Sequence, residues 1–250
     1  MKPPRSHPRF RSLVERASLV EGWKRGLVAD AGLLAHGRGE AFDYLLGERT
    51  TPEARRAARA GVALLRLARR PVISVNGNAA VLAGRDLARL GRALGAPLEV
   101  NLFYRSPGRE RLLVRHLRSL GAERVLSGGG ARLPGLESSR RRVHPDGILR
   151  ADAVLVPLED GDRTEVLARL GKRVVAVDLN PLSRTSRRAT VTVVDNLTRC
   201  APLMASMARE MDGWPGARLA RTSRLDNRAN LRLSVERMGA AATRELGRKR

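Results

Sequence analysis

At 250 residues, 42% of them hydrophobic, the chain can bury a substantial core as one large α/β domain, or as one domain with a helical extension. No apolar run approaches the roughly 20 residues that span a membrane; Met1 to Pro8 lacks the apolar core of a signal peptide, and the lone Cys200 excludes an intramolecular disulfide, which together suit a cytoplasmic protein. The formal charge of +23 is almost all arginine, the only lysines being Lys2, Lys24, Lys172 and Lys249; it is spread along the chain, and two Trp, two Tyr and three Phe offer little for base stacking, so no specific nucleic-acid partner is expected.

Residues from about Pro8 to Leu67 read as mostly helical. Ser12 to Arg25 carries Leu13, Ala17, Val20 and Trp23 at helical spacing. Thr51-Pro52-Glu53 starts a helix, with Thr51 as cap and Pro52 at its first position, and that helix runs to Arg70. Short apolar runs then alternate with helical patterns. Pro71 to Val75 reads as a strand, Ala80 to Leu94 as a helix, Leu98 to Phe103 as a strand, Arg109 to Leu120 as a helix, and Arg124 to Leu126 as a short strand. Ser127 to Arg150 is irregular and polar, longer than most connections. Ala153 to Pro157 is a strand, followed by a helix through Gly171 that Asp162 is expected to cap. Two more strands end at Asp178 and Asp195, and a helix runs from Asn196 to about Met211. Apolar strands alternating with helices specify a mostly parallel sheet with helices on both faces. The chain divides as a helical amino-terminal extension over residues 1–70, a core over 71–212, and a basic tail over 213–250 that Gly213-Trp214-Pro215-Gly216 sets off. That tail holds ten Lys/Arg against three Asp/Glu and reads as partly helical or disordered.

In an open parallel sheet, ligands bind beyond the carboxyl ends of the strands. Asp178-Leu179-Asn180 and Asp195-Asn196 lie at two such ends, with Arg184, Thr185, Arg187 and Arg188 between them. Asp and Asn suit ribose or base edges, and forked guanidinium groups suit phosphates. The alternative is that the acids only close turns or cap helices. Gly32 to Glu48 is a second block, in which His36, Arg38 and Glu40 sit among glycines just before an expected helix. Glycines allow close backbone approach to a phosphate; a polar loop with a packed His36 reads equally. Asn76-Gly77-Asn78 and Asn101 to Arg105 follow two further strands, where amides and Arg105 could hold a substrate or simply form turns. Glu159-Asp160-Gly161-Asp162 could hold Mg²⁺ or make a tight turn. No Walker phosphate loop, no Gly-x-Gly-x-x-Gly directly after a strand, and no zinc spacing occurs.

Ser6 to Arg9, Leu33 to Glu48, Pro71 to Asn78, Leu98 to Arg105, Pro134 to Ser138, Val154 to Thr164 and Val177 to Asn196 together resemble archaeal phosphopantothenate synthetase, the 4-phosphopantoate–β-alanine ligase family. The likeness runs in order over about residues 6–210 and finds no counterpart for the tail. It implies a homodimer with a Rossmann-like core that joins 4-phosphopantoate to β-alanine in coenzyme A biosynthesis, with ATP as co-substrate, Mg²⁺ expected beside it, and AMP and diphosphate as products. By matching strings, it implies ATP contacts at Arg16, Arg38, Asp178, Leu179, Asn180, Arg184, Thr185, Asn196 and Leu197. Arg16, Arg38 and Arg184 would neutralise phosphates, and His36 and Arg38 are the candidates for catalysis. The 4-phosphate of pantoate needs an anion site of its own, for which Asn76, Asn78, Asn101 and Arg105 are the candidates, and no metal ligand is assigned.

Overall fold

A computed structural model of the chain describes residues 4–136 and 141–247. Two amino-terminal helices, α1 (Phe10–Lys24) and α2 (Asp30–Leu45), precede α3 (Pro52–Leu67). The alternating region follows as β1 (Pro71–Val75), α4 (Gly77–Leu94), β2 (Leu98–Val100), α5 (Pro107–Ser119) and β3 (Val125–Leu126). A small antiparallel pair, β4 (Ala131–Arg132) and β5 (Arg142–Val143), and one π-helical turn at Pro145–Leu149 occupy the stretch expected to be irregular. Then come β6 (Ala153–Pro157), α6 (Gly161–Arg169), β7 (Arg173–Val177), α7 (Arg184–Arg188), β8 (Val191–Val193) and α8 (Leu197–Glu210). The chain closes with α9 (Gly216–Thr222) and α10 (Asn227–Gly247).

The main sheet has six parallel strands in the order β3-β2-β1-β6-β7-β8. This is the doubly wound order in which the first three strands run outward one way and the next three the other, and the reversal falls between β1 and β6. The α/β, Rossmann-like expectation therefore holds, including helices on both faces. On one face, α3, α4, α5 and α8 bury the larger cluster, with Ile73, Val75, Leu155, Val175 and Val177 beneath them. On the other, Val72, Val154, Val156 and Val174 meet Val166 and Leu167 of α6 and Leu133, Val143 and Ile148 of the β4–β5 region. Alternate residues of the same strands feed the two clusters, as the period of two demands.

Local signals hold where capping chemistry is unambiguous. Thr51 accepts the Ala54 N–H at 3.1 Å with Pro52 next to it, so α3 starts where the sequence puts it. α4 starts earlier than expected because Asn76 serves as its cap. Asp160 rather than Asp162 caps α6, since its carboxylate accepts the Arg163 N–H at 2.9 Å. β2 stops at Val100, three residues before the expected end.

Of the two readings of the carboxyl-terminal segment, partly helical or disordered, the structure shows the helical one and adds a docking that was not expected. Residues of the tail through Gly247 form α9 and α10, and both pack on the core. Leu219 joins the larger cluster, and Leu231 and Met238 bury against Leu46, Leu179 and Val194. β8 is an edge strand, which leaves ladder groups open. α10 closes that edge with two amides: Asn227 accepts the Thr192 N–H at 2.8 Å and donates to Ser186 O and Ala189 O, while Asn230 donates to Thr192 O at 2.8 Å. Arg237 adds a forked ion pair to Glu53 on α3. The sequence missed this because α10 has a basic, weakly amphipathic pattern, and its docking is carried by amides whose partners lie far back in the chain.

Removing the Asn227 side chain leaves the Thr192 N–H and the Ala189 carbonyl without their partner, while Ser186 O keeps the Thr192 hydroxyl. Asn227→Ala should lower unfolding stability by about 2 kcal/mol in urea titration, with the slope unchanged.

Candidate active site

Because all six strands run parallel, their carboxyl ends share one rim. Asn101 follows β2, Asn76 follows β1, Leu158 to Asp160 follow β6, Asp178 to Asn180 follow β7, and Asp195-Asn196 follow β8. The corners chosen from sequence are thus brought together.

At the reversal between β1 and β6, the Asn76 amide bridges the gap. Its Nδ2 donates to Leu158 O at 2.9 Å and Pro157 O at 3.3 Å, while Oδ1 caps α4. Leu158 takes a left-handed backbone (φ 53°) beside this bridge. Asn78 donates to Gly32 O at 2.8 Å and so ties α4 to α2. Both amides are committed to holding the rim together.

The β7 corner is wound into a tight turn. Asp178 accepts the Asn180 N–H at 2.9 Å and the Ser183 hydroxyl at 2.5 Å; Asn180 Oδ1 accepts the Leu182 N–H, and Ser186 donates to Asn180 O at 2.7 Å. Burial raises the Asp178 pKa, and the donors from Ser183 and Asn180 work against it. Thr185 donates to Glu159 O at 3.0 Å, linking the β7 and β6 corners. Arg184 is exposed and pairs with Asp162 at 2.7 Å. Two acids expected to hold Mg²⁺ or shape a turn are thereby used for a cap and an ion pair.

The block from Gly32 to Glu48 is not a glycine loop before a helix; Gly32 to Leu45 lies within α2. The glycines instead let this helix lie across the rim. A Cβ on Gly32 would collide with Asn78 Oδ1, and one on Gly39 would touch Leu179 at 3.5 Å. Further along, Asp43 reaches the β8 corner. α2 therefore passes over the carboxyl ends from β1 to β8. It carries Arg38 as an exposed guanidinium and His36 half-buried, with Nε2 out of contact with water and without a hydrogen-bond partner. Burial lowers the His36 pKa, although Glu15, Glu40 and Asp43 oppose the shift. The ring is neutral at pH 7. Arg16, on α1, forks onto Glu40 of α2 at 2.9 and 3.0 Å, and Arg9 and Ser12 donate to the same carboxylate.

At the β8 corner lies a buried cluster that sequence reading found only in part. Arg199 donates from Nη1 and Nη2 to Asp43 and from Nε and Nη2 to Asp195. Asn196 caps α8 and gives its Nδ2 protons to Glu15 at 2.9 Å and Asp43 at 3.0 Å; Thr50 donates to Asp195 at 2.6 Å. Burial works against the Arg199 charge, but its bonds with Asp43 and Asp195 outweigh burial and raise its pKa. Asn196 has no free side-chain valence, so any contact it makes with a ligand falls to its backbone or to Leu197. Asp195 and Asn196 were chosen from the sequence; Arg199 and its partner Asp43, 156 residues away, were not.

Fold and rim narrow the candidates to ligand-binding α/β proteins, and comparison with known proteins decides among them. Residues 53–241 match the family model described as phosphopantothenate/pantothenate synthetase. The chain belongs to this family. It is 52% identical to the 4-phosphopantoate–β-alanine ligase of Thermococcus onnurineus over 88% of this chain and 85% of that one. It is 54% identical to the ligase of Thermococcus kodakarensis over 84% and 82%, and 51% identical to that of Methanosarcina mazei over 83% and 82%. The family match extends to residue 241 and so takes in α9 and most of α10, correcting the expectation that the synthetase likeness ends near Met211. Of the strings that carried the resemblance, only Glu137 and Ser138 lie outside the described residues.

Two outcomes test this geometry. Asp43→Ala removes one of the two carboxylates that hold the Arg199 guanidinium, Asp195 keeping the other, and should cost about 1.5–3 kcal/mol of stability in chemical denaturation. For His36, the folded-state pKa lies below the ordinary 6.5, so the unfolded chain takes up the proton first as pH falls. Its contribution to stability is complete above pH 6.5 and declines below it. His36→Gln should remove that component, seen as a flatter curve of Tm against pH than wild type between pH 7.5 and 5.

Proposed function

We propose that this chain is an ATP-dependent ligase that joins 4-phosphopantoate to β-alanine, releasing 4′-phosphopantothenate, AMP and diphosphate, in the cytoplasm and in the service of coenzyme A synthesis. The observation that carries the reading is identity above 50% with ligases of that name over more than four-fifths of both chains. The rim supports it. Asp178, Leu179 and Asn180 offer backbone and side-chain groups suited to a nucleoside, and Thr185 and Leu197 lie on the neighbouring corners. Arg16 and Arg38, on the helices over the rim, and Arg184, beside the β6 corner, supply positive charge for the phosphates.

The chemistry follows from this layout. A pantoate carboxylate oxygen attacks the α-phosphorus of ATP, diphosphate leaves, and an acyl-adenylate forms. The β-alanine amine then attacks the acyl carbon, AMP departs with the carboxylate oxygen, and the amine gives up a proton. Such a reaction depends mainly on positioning and on neutralising charge. In this reading Arg38 offsets charge building on the phosphates, and His36 accepts the proton. Of the four residues expected to hold 4-phosphopantoate, Asn76 and Asn78 brace the site, and Arg105 is already paired with Glu110. Mg²⁺ is expected to arrive with ATP, held largely by phosphate oxygens and water. Among the described residues no three acids, histidines or cysteines group to hold a metal, so no step is assigned to one.

A homodimer fits the surface. α1 and α2 expose Val14, Val20, Trp23, Leu34, Tyr44 and Leu45, apolar groups that a second copy would cover.

Incubation with ATP, 4-phosphopantoate and β-alanine should yield AMP only when both co-substrates are present. Arg38→Ala should raise the KM for ATP about 10- to 100-fold, the range for hydrogen bonds to a charged group. ADP instead of AMP would make the protein a kinase on the same sheet, and salt-sensitive RNA binding without turnover would make it a binding module.

A further inference from the structure

The first turn of α6 sends the Arg163 side chain into the protein. This guanidinium is fully buried, and its Nε and both Nη atoms have no hydrogen-bond partner. Glu159 lies 3.7 Å from Nη1, beyond hydrogen-bonding length. Burial pushes the Arg163 pKa down to about 10, with Glu99 and Asp160 opposing and Arg105 reinforcing the shift. A buried guanidinium with unmet donors is costly, and proteins keep one where something else supplies the acceptors.

The surroundings narrow what that is. Glu99 on β2 is already occupied: its oxygens accept the His144 N–H at 2.9 Å and the Ile148 N–H at 2.7 Å, and Gly147 passes so close that a Cβ there would overlap the carboxylate. Asn101, at the end of β2, is also buried. Its Nδ2 donates to Arg142 O, and its Oδ1 has no partner. Arg105 donates to the same carbonyl at 3.1 Å and pairs with Glu110. The unmet groups are therefore strong donors on Arg163 and one neutral acceptor on Asn101, both at the carboxyl end of the sheet near the β1–β6 reversal. Acids (Glu99, Glu110, Glu159 and Asp160) outnumber bases (Arg105, Arg163 and His144) around them. A phosphate dianion would enter against that balance, whereas an amino acid, carrying both signs, would not.

We propose that Arg163 and Asn101 form the β-alanine subsite, with the Arg163 guanidinium receiving the carboxylate and Asn101 Oδ1 accepting from the amine. The proposal rests on the ligase reading above. The carboxylate is unchanged by the reaction and so is the handle by which the molecule is held. A neutral amide acceptor orients the amine without favouring its protonated, unreactive form, as a carboxylate would.

The test is selectivity between β-alanine and β-alaninamide, measured as kcat/KM for AMP release by the full chain with ATP and 4-phosphopantoate saturating. Wild type should prefer β-alanine by about 10- to 100-fold. Arg163→Gln should lose most of that preference, by a fall for β-alanine alone, with the KM for 4-phosphopantoate unchanged. Arg163→Lys should restore part of it. Should Arg163→Gln not fold, Asn101→Ala provides the second arm: the KM for β-alanine should rise several-fold while 4-phosphopantoate-dependent exchange of labelled diphosphate into ATP continues. A wild-type preference near one, or variants that raise the KM for 4-phosphopantoate and not for β-alanine, overturns the assignment. Wild type that forms no AMP from both substrates fails the ligase reading itself and removes this subsite with it.

Discussion

The rim depends on Arg199. A parallel sheet leaves its carboxyl edge open, and here helices from the amino-terminal end of the chain must be fastened over it. Arg199 fastens them from the first turn of α8, reaching back to Asp43 on α2 and holding Asp195 at the end of β8. Asn196 and Thr198 extend the attachment to Glu15 on α1. The guanidinium thereby fixes the β8 corner and the path of α2, and its neighbours Asn196 and Thr198 fix α1. Placing this charge in the interior is tolerable only because its donors meet acceptors of opposite charge.

What was legible in the sequence follows the range of the interaction responsible. The strands from Pro71, Ala153 and Arg173 read directly, because burial on both faces imposes continuous apolar runs. The rim read directly too, since a parallel sheet puts every strand's carboxyl end on one side. The Thr51-Pro52 start is local chemistry and held. By contrast, α2 was mistaken for a loop because its glycines look like a phosphate cradle. Their reason is steric and lies in other parts of the chain, at Asn78 and Leu179. α10 was taken for a tail because Asn227, Asn230 and Arg237 act on β8 and α3, dozens to nearly two hundred residues earlier. Fold class is written in periodicity, which is local; docking is written in pairs, which are not.

The same distinction sorts the candidate site. Corner residues such as Asp178 and Asn180 could be chosen from spacing because turn chemistry and ligand chemistry use the same groups. That overlap also limits the choice: Asn76, Asn78 and Asn196 are polar, well placed and already engaged. An amide with every valence filled shapes a site, while one with an open valence can serve a substrate. Asn101 is of the second kind and Asn76 of the first, although the sequence presents them alike.

Arg199 and Arg163 carry the comparison to its limit. Both are arginines in the first turns of helices that follow strands of the same sheet, Arg163 fully buried and Arg199 nearly so, and no pattern of neighbours separates them. Arg199 has each of its nitrogens bonded to a carboxylate, which raises its pKa; Arg163 has none so bonded, and its pKa falls. If both were purely structural, selection for stability would favour replacing Arg163 with an apolar side chain, since a buried charge without its hydrogen bonds is harder to keep than a well-packed hydrophobe. A group that folding alone does not favour is best explained by the reaction. Its place near Arg105, which shares the Arg142 carbonyl with Asn101, rather than among the arginines over the rim, suits the proposed substrate that brings both a carboxylate and an amine.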